Sequence, residues 1–260
     1  MTSAATTSAP QAPKASAPSS KTPKSPPKLI GKRRHTAPPS KKVIISVIQQ
    51  KGGAGKTTLA VHLAHMITEL RPGWRVAVAD ADPQRSASQW IARGEARGIG
   101  GVRGVVIAED GEGKSLRAEL TAIEADVVLI DLPPAIESLS LRAALYADVM
   151  LVPVGASTLD LEAARAAVNV CQEAMELDPR KRMLLVPSRV RAGTSSAREL
   201  RPALARWGQV SDVGISLRVA YSDAATSGEG INTFEPEGQG FIEFVRLASE
   251  VLEMIEGGER

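Results

Sequence analysis

The sequence is poor in cysteine and in aromatic residues. Its 260 residues include one cysteine, Cys171. A lone cysteine permits no internal disulfide and suits a reducing compartment. Cys171 falls in an expected helix over 159–177 and reads as a small buried side chain. Three Phe, two Tyr and three Trp, within an apolar content of 43%, leave a core that must be mostly aliphatic. No run of about 18 apolar residues is present to span a bilayer. The N-terminus lacks the apolar centre of a secretory signal, so a cytoplasmic location is expected.

Acids are missing from one end. Residues 1–42 carry nine of the 32 cations (Lys14, Lys21, Lys24, Lys28, Lys32, Arg33, Arg34, Lys41 and Lys42) and none of the 29 acids. The rest of the chain is therefore net −6, although the whole is +3. This stretch is rich in Pro, Ala, Ser, Thr and Lys and cannot bury enough apolar surface to offset its ordering entropy. It reads as a disordered basic arm, with the folded domain expected over 43–260. Two readings of the arm stay open: a polyanion-binding segment acting through counterion release, or a solubilising extension.

What the chain does have is concentrated at 43–58. Val43–Ile48 is an apolar, β-branched run, the pattern of a fully buried strand. Gly52, Gly53 and Gly55 then crowd into a turn. Lys56-Thr57-Thr58 opens a stretch with apolar residues at Leu59, Val61, Leu63, Ala64 and Ile67, which reads as a helix. Strand, glycine turn and helix start together hold phosphate: backbone N–H groups surround the anion and the helix N-terminus adds a favourable dipole. Lys56 can reach terminal phosphates and the Thr57 hydroxyl can ligate Mg²⁺. The usual phosphate loop has its first glycine where this chain has Gln50, and a second lysine, Lys51, opens the run instead.

The eight residues Lys51-Gly52-Gly53-Ala54-Gly55-Lys56-Thr57-Thr58 form a deviant Walker A motif that resembles the ParA/MinD family of ATPases. Two later motifs fall in the order that family needs. Val76–Ala79 is a second buried run, ending in Asp80-Ala81-Asp82-Pro83-Gln84. Carboxylates at a strand's C-terminal end lie where open α/β sheets bind ligands. By resemblance, Asp82 orients the attacking water and Asp80 supports the Mg²⁺ shell. Asp126–Asp131 is a hydrophobic strand closed by one carboxylate, Asp131, the Walker B pattern, in which the Asp holds a water on Mg²⁺.

The remaining elements alternate. A strand is expected at 104–108, a helix at 114–124, a strand at 149–154, a strand at 183–186 and helices at about 195–207 and 240–255. Ser157-Thr-Leu-Asp160 is a helix N-cap segment. Alternation of strands and helices predicts an α/β fold, a doubly wound and mostly parallel sheet of the P-loop NTPase type.

The resemblance covers about residues 43–257. It implies an ATP-hydrolysing homodimer that sandwiches two nucleotides, with Lys51 reaching across to the partner's phosphates. It also implies ATP-controlled, non-specific DNA binding over the nucleoid. A ParB-like or cargo-adaptor protein would stimulate hydrolysis. Many relatives have Asn near Ser188, close to the base, and Arg where this chain has Ala220. Arg189, Arg191, Arg198, Arg201 and Arg218 are the candidate DNA contacts.

The main alternative is a MinD-like membrane switch. It needs a basic amphipathic C-terminus, and the tail Glu250–Arg260 is acidic. An iron-protein type of electron donor needs paired cysteines. A tyrosine kinase of this fold has a tyrosine-rich tail, whereas this chain has only Tyr146 and Tyr221. Intact Lys51, Lys56 and Asp82 argue against a scaffold that binds ATP without turnover.

Overall fold

The computed structural model describes residues 35–108, 114–134, 137–191 and 193–257. Most of the expected basic arm, residues 1–34, lies outside them. Thr36 and Lys42 tie the described start of the chain to the domain. The Thr36 carbonyl accepts from Trp74 Nε1 at 3.1 Å, and Lys42 Nζ donates to the carbonyls of Leu120 and Thr121 at 2.8 Å each.

The central strand is β1, Val43–Val47, the apolar run expected from its composition. It leads through the glycine turn into α1, Lys56–Leu70. There follow β2 (Val76–Asp80), α2 (Ser86–Glu95), β3 (Val102–Val106), α3 (Leu116–Ala122) and β4 (Val127–Asp131). Then come α4 (Glu137–Tyr146), β5 (Val149–Val154), α5 (Thr158–Leu177), β6 (Arg182–Val190) and α6 (Ser195–Leu204). The chain closes with β7 (Ile215–Ser216), α7 (Val219–Ser227), α8 (Ile231–Phe234) and α9 (Gln239–Gly257).

Among the described residues the sheet has seven strands in the order β3-β2-β4-β1-β5-β6-β7, all parallel. The doubly wound expectation is met. Successive side chains on a strand face opposite ways, and both faces here are covered. Val127 and Leu129 of β4 enter a core with α1, α7, α8 and α9; Val128 and Ile130 enter another with α3, α4 and α5. Each fully buried Ile, Leu or Phe, such as Ile45, Leu129 and Phe244, contributes about 1.5–3 kcal/mol relative to exposure. Cys171 lies in α5 with its thiol pushed up to about 12 by burial, which makes it inert packing.

Strand order reverses at β1, because β4 flanks it on one side and β5 on the other. Ligand crevices of such sheets open at the strands' C-terminal ends at this switch point. The register puts Val47 beside Asp131, and Asp131 beside Asp80. The phosphate turn and both strand-end carboxylates therefore converge at one edge.

Several elements were not expected from the sequence: α2, α4, β7, α7 and α8. Boundaries also moved. The third strand is Val102–Val106 rather than 104–108, and β6 runs four residues past its expected end.

Candidate functional site

A cleft of about 710 Å³ opens at this edge, lined by Gly52 through Leu59, Asp82, Pro134, Ser188, Arg189 and the segment Ile215–Arg218 with Tyr221. Seven of the eight motif residues therefore share one wall. Gly53 and Gly55 take φ of 69° and 90°, a left-handed conformation that only glycine adopts without strain. Gly55 is the N-cap of α1, so the helix starts on the loop itself and its first N–H groups have no partner within the helix. Gln49, just before the loop, is buried. Its side chain donates to the Pro153 carbonyl at 3.0 Å and accepts from the Lys51 N–H at 3.3 Å, tying the loop's first turn to β5.

Lys56 is buried, and its Nζ donates to the Lys51 carbonyl at 3.4 Å. Burial lowers its pKa, while Asp131 and Asp82 pull it back up. A cation with this little solvation is poised to gain from an anion in the loop.

Thr57 Oγ1 donates to Asp131 Oδ2 at 2.7 Å. The other oxygen, Asp131 Oδ1, is buried with no hydrogen-bond partner among the described residues. Burial pushes the Asp131 carboxyl up to about 7; Asp80 and Asp82 push the same way, and Thr57 and Lys56 oppose them. A buried carboxylate with a spare oxygen beside a hydroxyl is the donor set that Mg²⁺ takes from a nucleotide-binding protein. Among the described residues no three His, Cys, Asp or Glu side chains converge as a metal site. Thr57 and Asp131 fit Mg²⁺.

Asp80 does something the sequence did not suggest. Its Oδ2 accepts from Ser88 N at 2.7 Å and its Oδ1 from Asp82 N at 3.2 Å. It therefore holds the first turn of α2, whose N-cap residue Arg85 sits at φ 53°. Asp82 Oδ1 accepts from Gln84 N at 2.9 Å, and the residue lies on the cleft wall. Ser188 is buried and also lines the cleft, with its Oγ donating to the Val186 carbonyl at 3.0 Å.

Lys51 stands apart from its seven neighbours. It does not line the cleft; its Nζ lies 2.6 Å from Asp160 Oδ1. Asp160 is the N3 residue of α5, in a capping box with Ser157. The Ser-x-x-Asp spacing marked the cap, but nothing in it pointed to Lys51.

The five candidate DNA arginines separate into two groups. Arg191 and Arg198 are exposed, and half-buried Arg201 lies 3.5 Å from Asp212. Arg189 and Arg218 line the cleft instead. Arg218 Nη2 is 2.8 Å from Glu243 Oε1. Glu243 also accepts from Ser216 N at 2.9 Å, Ser216 Oγ at 2.8 Å and Tyr221 Oη at 2.7 Å. Burial pushes Glu243 up, but these donors outweigh it and hold the carboxyl below its usual range. Sequence reasoning missed Glu243, because a lone Glu within a helix carries no pattern.

The model of the CobQ/CobB/MinD/ParA nucleotide-binding domain matches residues 45–231. The chain is 30% identical over 241 residues to the chromosome-partitioning ATPase Soj of Thermus thermophilus, covering 82% of this chain and 96% of Soj. It is 26% identical over 198 residues to the maintenance of carboxysome distribution protein A of Halothiobacillus neapolitanus, covering 75% of this chain and 88% of that one. In fold it is similar to the septum site-determining protein MinD of Pyrococcus horikoshii complexed with Mg-ADP. The TM-score is 0.63 at 18% identity, over 84% of this chain and 98% of that one.

Proposed function

Because the chain belongs to the CobQ/CobB/MinD/ParA nucleotide-binding family, we propose that it is an ATP-hydrolysing switch that positions or segregates a cargo. The observation that carries this reading is the Thr57–Asp131 pair with its spare buried oxygen, at the foot of the glycine loop. The loop's N–H groups and Lys56 would hold the β- and γ-phosphates. Thr57 and Asp131 would hold Mg²⁺, which neutralises charge on the phosphates when bound. Asp82 would orient the attacking water from the cleft wall. Asp80 would act on α2, keeping Asp82 in place through the turn it caps.

In this reading two subunits close over two nucleotides and Lys51 leaves Asp160 to reach the partner's phosphates, a cation supplied in trans. The ATP dimer then binds duplex DNA without sequence preference through Arg191, Arg198 and Arg201, and a ParB-like or cargo-adaptor protein stimulates hydrolysis. The relatives named for partitioning and carboxysome distribution support the positioning role.

DNA is favoured over a membrane as the surface. A membrane-seeking C-terminus needs a free apolar face. The apolar residues of α9 (Phe244, Leu247, Val251, Leu252 and Ile255) are buried in the core against α1. Among the described residues no helix is long and apolar enough to cross a membrane.

The test is sedimentation with duplex DNA and with anionic vesicles, in ATP and in ADP. ATP-dependent sedimentation with DNA supports the reading. ATP-dependent sedimentation with vesicles alone would replace it with the membrane switch.

A further inference from the structure

Arg189 is in an unusual backbone state for its residue type. Its φ is 55°, and Arg85 is the only other described non-glycine residue with positive φ. Left-handed backbone at such a residue costs of order 1 kcal/mol or more and persists where the surroundings impose it. The surroundings here are a β-bulge. On β6, Ser188 pairs with Ile215 and Val190 pairs with Ser216, so Arg189 is the extra residue. Bulges re-aim the side chain they carry. This one sends the guanidinium across the cleft to the glycine loop, where Arg189 Nη1 donates to the Gly53 carbonyl.

The bond has a consequence for the loop. The Gly53 carbonyl and the Ala54 N–H belong to one trans peptide and point in opposite directions. While the carbonyl is held toward Arg189, the Ala54 N–H is held away from it. A guanidinium prefers a phosphate oxygen to a neutral carbonyl, since a bond between two charged groups is roughly twice as strong. Arg189 also lines the same cleft as Lys56 and Thr57.

We propose that Arg189 is a nucleotide-phosphate ligand rather than a DNA contact: the β6 bulge aims its guanidinium at the loop, and a bound polyphosphate takes it from the Gly53 carbonyl. The proposal rests on the reading of the cleft as an ATP site. It adds to that site a second cation of the same subunit, carried by β6 rather than by the glycine loop.

The experiment is calorimetric titration of Mg-ATP into the wild-type protein and into Arg189→Lys, Arg189→Gln and Arg189→Ala, with Lys56→Ala as a reference. Melting temperatures serve as a check on folding. Lysine keeps the charge; glutamine keeps a neutral polar group and removes the charge. A phosphate ligand predicts that Ala and Gln both weaken ATP by roughly 10- to 100-fold while Lys stays within a few-fold of wild type. Duplex DNA binding, measured with each variant saturated in ATP, should be unchanged. Rescue by Gln but not by Lys would make the contact a neutral brace of the loop and overturn the proposal. Unchanged ATP affinity with lost DNA binding would overturn it too. If the wild type itself binds no ATP, the reading of the cleft fails, independently of Arg189.

Discussion

Lys51 Nζ and Asp160 Oδ1 are 2.6 Å apart, an ion pair inside one subunit that joins the start of the glycine loop to the first turn of α5. The lysine that distinguishes this loop is thus held outside the cleft that its seven neighbours line. Both partners are partly exposed, at 36% and 24% of the side chain. A pair of that exposure is worth about 1 kcal/mol or less. It can therefore be exchanged for a better anion at small cost.

Lys51→Ala is expected to leave the monomer almost as stable as wild type, with a melting temperature lower by no more than a few degrees. ATP affinity should persist, because Lys56 and the loop N–H groups are untouched. Calorimetry and a thermal melt check both statements; a large loss of either would make Lys51 part of the monomer's own site.

Asp82→Ala should bind ATP at near wild-type affinity and hydrolyse it at least about 100-fold more slowly, if the carboxylate positions the water. Phosphate release under single-turnover conditions reads this. Normal turnover would move the role to another residue.

Acid should destabilise the fold through α1. Burial lowers His62 to about 3 and His65 to about 4. Both imidazoles are folded neutral, so their contribution is complete above the unfolded value near 6.5 and is lost as pH falls toward the folded values. Each histidine then costs about 2 kcal/mol at pH 5. Asp131, raised to about 7, acts in the opposite sense, since its contribution is present at low pH and lost as pH rises through 7. Two losses against one gain leave a net fall in stability from pH 6.5 to 5. Urea midpoints across that range should drop for wild type and hold or rise for His62→Gln/His65→Gln, where only the Asp131 contribution remains; equal slopes would contradict the assignment.

DNA affinity should have two sources with different behaviour. Removing residues 1–34 should weaken DNA binding equally in ATP and ADP, and should reduce the salt slope by roughly 0.9 per lost phosphate contact. Charge reversal at exposed Arg191 and Arg198 should instead remove the ATP-to-ADP difference, because dimerisation doubles those contacts on one rigid body. An arm deletion that erases the ATP dependence would reverse this division.

Much of the cleft was legible in the sequence because its parts are contiguous. A buried strand, a glycine turn and a helix start state their geometry locally, and Thr57 and Asp131 meet because β1 and β4 are neighbours in a parallel sheet. What stayed hidden depends on contacts far apart in the chain. Lys51 and Asp160 are separated by 109 positions. The Arg189 bulge exists only in the pairing of β6 with the two-residue β7, too short to leave a periodic trace. Glu243 gathers donors from residues 216–221 through the packing of α9 against β7. His62, buried in the interior, accepts from Ile231 N at 3.0 Å and packs against Trp90, Tyr221 and Phe244. In the sequence it sits among apolar neighbours as a polar interruption.

The most direct test of the switch is the molar mass of Asp82→Ala in Mg-ATP, measured by light scattering, alone and combined with Lys51→Ala. Slow hydrolysis in the first variant should hold any nucleotide sandwich together. The account predicts twice the monomer mass for Asp82→Ala in ATP, monomer mass in ADP, and monomer mass in ATP once Lys51 is also removed. A monomer under all three conditions, or a dimer that survives the loss of Lys51, would contradict it.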